Sequence, residues 1–146
     1  MKGQLRWLWL SIAIIIIDQI TKHMMNHWLL NIVSYKVCPG LNFTLVYNTG
    51  SAFGFLAKAS GWQLYFFILV TIVVFIGLLV WLRKTAMSHN LKAIGLALII
   101  GGAVGNLIDR LMHGYVVDFI DVYIGQYHWP AFNVADSAIC VGAVML

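Results

Sequence analysis

The chain contains no glutamate. Its 146 residues include only five acidic side chains, all aspartates. Charged residues make up 10% of it, against about 25% in an ordinary soluble domain, which excludes that class. Cysteine is scarce too. Cys140 falls in an apolar run expected to span a membrane and Cys38 in a loop, so no disulfide between them is expected. The five histidines are dispersed. There is no HExxH and no Cys-x-x-Cys or Cys/His ligand set, so a metal mechanism has little support. G-x-S-x-G, a P-loop and internal repeats are also missing.

What is present is apolar: 62% of residues are hydrophobic and the mean hydropathy is +0.88. The net charge is +4, but the basic residues are scattered beside hydrophobic runs. That pattern suits membrane orientation and not nucleic-acid binding. The length fits a single integral membrane domain, residues 1–146. Spans of about 20 residues are expected over Leu5–Met25, Trp62–Leu82 and Ala93–Met112. A cleaved signal peptide is the alternative for the first run, but no small-residue cleavage site follows it. The second span carries no charge, is edged by Trp62, Tyr65 and Trp81, and reads as a lipid-facing or packing helix. A fourth begins near Asn133 and runs 14 residues through Leu146, roughly 21 Å of helix against the ~30 Å of hydrocarbon. It is expected to be a span cut short, with a basic tail missing. Lys2, Arg6, Arg83, Lys84 and Lys92 make one side basic. The positive-inside rule then places the N-terminus in the cytoplasm and the 26–61 and 113–131 loops outside.

Asp18 and Lys22 are four apart on one helix face and can pair, either as an interfacial ion pair ending the span or as a brace for neighbouring loops. Pro39-Gly40 signals a turn, and residues 41–47 alternate with period two, as in a strand on the membrane surface. Asn48-Thr49-Gly50 follows, compatible with ordinary turn chemistry. The 48–60 stretch is a candidate lid. Gly101 and Gly105 would admit a close neighbour helix. Asn106, Asp109 and Arg110 leave the outer end of the third span on one face, which should point toward protein or water, either pinning helices or supporting a site. Val116–Asp121 reads as an apolar outer loop, with Asp121 as its solvated carboxylate. Asn133 is a good N-cap, and Asp136 three residues on fits a capping box.

Two carboxylates sharing a proton can activate water against a peptide carbonyl. Asp118 lies in an apolar run, which favours the neutral acid. Asp136 stands at a helix start, which favours the anion. The expected roles are Asp136 as base and Asp118 as acid, provided the chain folds back to join them. A small proton-coupled transporter or channel subunit is the alternative, and a purely structural assembly factor a third. Transport carboxylates, however, usually lie near the bilayer midplane, whereas these aspartates fall at outer span ends or in outer loops.

Five motifs stand in order along nearly the whole chain: Asp18-Gln-x-x-Lys22, Asn48-x-Gly50-x-Ala52-Phe53, Gly105-Asn106-Leu107-Ile108-Asp109-Arg110, Val116-Val117-Asp118-Phe119 and Phe132-Asn133-x-Ala135-Asp136-Ser137. In these the chain resembles the lipoprotein signal peptidase (signal peptidase II) family, aspartyl proteases of the bacterial inner membrane. The resemblance implies an all-α polytopic protein: four transmembrane helices, a small extracytoplasmic β-cradle and a short surface helix. It implies Asp118 and Asp136 as the catalytic pair, with Asn48, Gly50, Asn106, Asp109, Arg110, Asn133 and Ala135 building or supporting the site. Asp18 and Lys22 would be structural. The implied substrate is a diacylglyceryl-modified prolipoprotein, cleaved N-terminal to its lipidated cysteine. Inhibition by globomycin-type cyclic peptides, contact with membrane lipid, a monomeric state and no metal or organic cofactor are implied as well.

Overall fold

A computed structural model describes residues 4–50 and 61–146. Ala52, Phe53 and most of the candidate lid lie outside the described residues. A 3-10 turn, Leu5–Trp7, leads into α1, Leu8–Trp28. The hairpin β1 (Ser34–Cys38) and β2 (Leu41–Asn48) follows. Then come α2 (Trp62–Lys84), α3 (Asn90–His113), β3 (Val116–Ile124), β4 (Tyr127–His128) and α4 (Val134–Val144).

Three stretches are helical, long and apolar enough to cross a membrane: Leu5–Trp28, Trp62–Lys84 and Asn90–His113. Each outruns its expected bounds by a few residues, because polar ends such as Arg83-Lys84 continue the helical ladder. The helix α4 has 11 residues, below the spanning length. The centre of the bundle is α3, which packs against α1, α2 and α4. Half of its most apolar window is buried, against 6% for α2. Large apolar side chains such as Leu69, Val73 and Ile76 of α2 are exposed, a surface suited to lipid and not to water. Leu78, Leu82, Ala93, Leu96 and Ile100 form a core where the end of α2 meets the start of α3. Glycine lets α3 sit centrally. A Cβ at Gly105 would lie 2.6 Å from Asp18 Oδ2, and one at Gly102 would collide with the Ala135 carbonyl. Gly114 ends α3 in the left-handed region at φ 80°.

The all-α description is too narrow. The described residues hold a four-stranded antiparallel sheet in the order β1-β2-β3-β4. They contain no separate surface helix beyond the 3-10 turn. The expected strand over 41–47 is β2, and β1 ends at Cys38, which is not in a loop. The larger correction is Val116–Asp121, which is not a loop but the start of β3, a central strand. The Val117–Asp118 stretch pairs with Val46–Tyr47, and the register shifts between Phe43 and Val46. Its apolar run misleads because both strand faces are covered, and such strands lose alternation.

Candidate active site

Two structural devices bring Asp118 and Asp136 together. The first is a backbone clasp. Phe119 and Ile120 N–H groups donate to the Phe132 carbonyl at 3.0 and 2.9 Å, and the Phe132 N–H donates back to Ile120 at 3.1 Å. This ties the entry of α4 to β3. The second is Asn133, fully buried as the N-cap of α4. Its Oδ1 accepts the Asp136 N–H at 2.9 Å, while its Nδ2 donates to Asp118 Oδ1 at 2.7 Å. Asp136 returns the capping box, accepting the Asn133 N–H on Oδ2 at 3.3 Å. Asn106 Nδ2 donates to Asp136 Oδ1 at 2.8 Å, and Asn48 Nδ2 to Asp118 Oδ2 at 3.1 Å.

The two carboxyls differ in surroundings. Asp118 is 2% exposed and Asp136 half-buried. Burial, and after it the Asp136 charge, push the Asp118 carboxyl from its ordinary 3.8 up to about 7, against the pull of the Asn48 and Asn133 amides. Both carboxyls line a cleft of about 770 Å³. Its apolar walls come from Phe66, Phe67 and Val70 of α2 and Ile139 and Val141 of α4. The helix α2 is thus more than a lipid-facing span.

The remaining expected residues gather around the pair. Arg110 donates to the Gly50 carbonyl at 3.1 Å and interacts electrostatically with Asp136, Asp118 and Asp109. The Gly50 N–H donates to Asn48 Oδ1 at 3.0 Å, so the turn chemistry expected there also holds Asn48 in place. Asp18 and Lys22 do not end the span at the interface. They are 0% and 3% exposed, and Lys22 Nζ lies 2.9 Å from both Asp18 Oδ2 and Asp109 Oδ2. The N–H of Ala135 donates to Asp18 Oδ1 at 2.9 Å, a contact spanning 117 positions.

Asp121 departs from expectation. It is 7% exposed, accepts from Asn42 at 2.9 Å, and stands 2.8 Å from His128 Nδ1. The short β4 strand, not recognised from sequence, delivers that histidine. Gln19 was legible only as part of the first motif. It donates to Asp109 Oδ1 at 2.9 Å and to the Gly105 carbonyl at 3.2 Å. Trp129 lines the cleft without a prior signal, and Phe132, legible only as the start of the fifth motif, lines it too. Cys38 and Cys140 are free, as expected. The described residues hold no cluster of three or more His, Cys or Asp side chains suited to a metal ion.

Fold and site together define a polytopic membrane protein with a coupled aspartate pair sunk into an apolar cleft. A family model described as signal peptidase (SPase) II matches residues 10–146, and the chain belongs to that family and is a protease. The lipoprotein signal peptidase of Coxiella burnetii (strain Dugway 5J108-111) is 53% identical over 140 residues, covering 96% of this chain and 86% of that relative. The lipoprotein signal peptidase of Pseudomonas putida (strain KT2440) is 51% identical over 146 residues, covering 99% and 85%. A solved bacterial membrane enzyme, determined by the in meso method at 1.9 Å resolution, matches with a TM-score of 0.81 at 32% identity, covering 99% of this chain and 94% of that one. These relatives lend no support to a transporter or channel subunit.

Proposed function

We propose that this protease removes signal peptides from diacylglyceryl-modified prolipoproteins, with Asp118 and Asp136 as its catalytic pair. The observation that carries the reading is the pair itself: two carboxyls in one apolar cleft, that of Asp118 held by the Asn133 side-chain amide and that of Asp136 by the Asn133 backbone N–H. Asp136 accepts the proton of a water whose oxygen attacks the scissile carbonyl carbon. Asp118, kept neutral by burial, protonates the carbonyl oxygen. Collapse of the tetrahedral species breaks the C–N bond, and the amine leaves with the proton gathered by Asp136 while Asp118 recovers its own. The two residues titrate as a unit.

The cleft walls from α2 and α4 suit acyl chains beside the peptide, so a lipidated cysteine on the C-terminal side of the cut is the fitting substrate. Cyclic peptides of the globomycin type would compete for the same cleft. The active site faces the extracytoplasmic side of the bacterial inner membrane, with the N-terminus cytoplasmic, and the enzyme works as a monomer. Support for this orientation is the basic N-terminal segment and 83–92 loop, set against a β3–β4 segment without Lys or Arg.

The test is a cleavage assay in detergent micelles, using a diacylglyceryl-modified prolipoprotein and its unlipidated twin. Cleavage of only the lipidated form is expected, lost in Asp118→Asn and Asp136→Asn and unaffected by chelator. Undiminished turnover in either variant would refute the pair.

A further inference from the structure

The buried Asp18–Lys22–Asp109 cluster lies outside the cleft, since none of its members lines it. Yet it touches both arms of the site. Asp18 Oδ1 accepts the N–H of Ala135, the residue before Asp136, at 2.9 Å. Asp109 Oδ2 accepts the N–H of Val117, the residue before Asp118, at 3.0 Å. Lys22 joins these two acids and also donates to Asn106 Oδ1 at 2.9 Å.

That third bond sets an orientation. An ammonium group only donates, so the Asn106 atom facing Lys22 must be the carbonyl oxygen. Asn133 Nδ2 donates to the same oxygen at 3.2 Å. The Asn106 amide nitrogen is thereby turned toward Asp136, where it donates to Oδ1 at 2.8 Å. With its amide reversed, Asn106 would set an oxygen against a carboxylate oxygen and an amide against an ammonium. One cation thus chooses which group Asp136 meets, although Lys22 itself bonds to neither carboxyl of the pair and reaches Asp118 only through its charge.

We infer that Lys22 is a positioning residue for the reaction: it orients the Asn106 amide toward Asp136 and, through Asp18 and Asp109, holds the two backbone segments on which the pair stands. This rests on the aspartate pair being catalytic. Misplacement of reacting groups by about 1 Å costs on the order of 100-fold in rate, so the effect should appear in kcat. KM should hold, because the apolar walls of the cleft from α2 and α4 are untouched.

The experiment compares wild type, Lys22→Met, Asn106→Ala and the double variant in detergent, using the lipidated prolipoprotein, with melting curves to count folded enzyme. Expected is a roughly 10–100-fold fall in kcat per folded molecule for Lys22→Met, with KM within about twofold. Because one of the two routes of Lys22 runs through Asn106, Lys22→Met should cost less kcat in the Asn106→Ala background than in wild type. Wild-type kcat per folded Lys22→Met molecule would overturn the inference, as would losses that multiply in full. If Lys22→Met does not fold, Asp18→Asn/Lys22→Met/Asp109→Asn replaces it. That triple variant leaves no unpaired buried charge and keeps acceptors for Ala135 and Val117. Wild-type kcat in this variant overturns the inference, and the same fall supports it. Asp136→Asn run alongside separates the two readings: activity there refutes the pair itself.

Discussion

Asn133 and Asp118 are joined by a 2.7 Å hydrogen bond while the other end of the same amide caps the helix that carries Asp136. One side chain therefore sets the spacing of both carboxyls. Asn133→Ala removes a cap worth about 1 kcal/mol and leaves a buried Asp118 oxygen short of a donor, about 1–3 kcal/mol more. A lower melting temperature and at least a tenfold loss of kcat are expected, read by thermal melting and the cleavage assay. Full activity with normal stability would show that the amide is dispensable.

Asp118 ionises in the folded protein near 7, against an ordinary 3.8. The folded state thus holds a proton that the unfolded chain has released. Its contribution favours folding at low pH and is lost progressively as pH rises from about 4 to about 7. Asp118→Asn should flatten the wild-type decline in melting temperature over that window. Parallel curves for the two proteins would contradict the assignment. Turnover should also fall above pH about 7, as Asp118 gives up the proton that it donates.

Asp121 is buried, but it serves the sheet. It bonds Asn42 across β2–β3 and His128 across β3–β4. Asp121→Ala is expected to lower stability by about 1–3 kcal/mol through the donor left unpaired, while kcat per folded molecule stays within about twofold. A large kcat loss in well-folded enzyme would place Asp121 in the chemistry.

Gly105→Ala would put a methyl 2.6 Å from Asp18 Oδ2, a carboxylate already held by Lys22 and Ala135. Overpacking of this kind costs about 1–3 kcal/mol, visible as a drop in melting temperature. Gly77→Ala on α2 meets nothing within 4 Å and should be neutral or slightly stabilising. Equal melting temperatures for the two variants would show that the α1–α3 approach is not tight.

The first three spans, the β2 alternation and the Asn133–Asp136 cap were legible because each is written in local periodicity or spacing. The length of an apolar run reports a membrane helix, period two reports a strand, and a cap needs only its own first turn. The motif order likewise pointed to Asp118 and Asp136. What stayed hidden depends on which faces meet. Val116–Asp121 became a central strand only because β2, far back in the chain, lies beside it. Asp121 became buried only because β4 brings His128 over it. Lys22 was readable as the i+4 partner of Asp18, but its bonds to Asp109 and Asn106 arise where α1 crosses α3. A buried polar group must find partners. Local sequence shows the need, and only tertiary packing chooses which residue answers it.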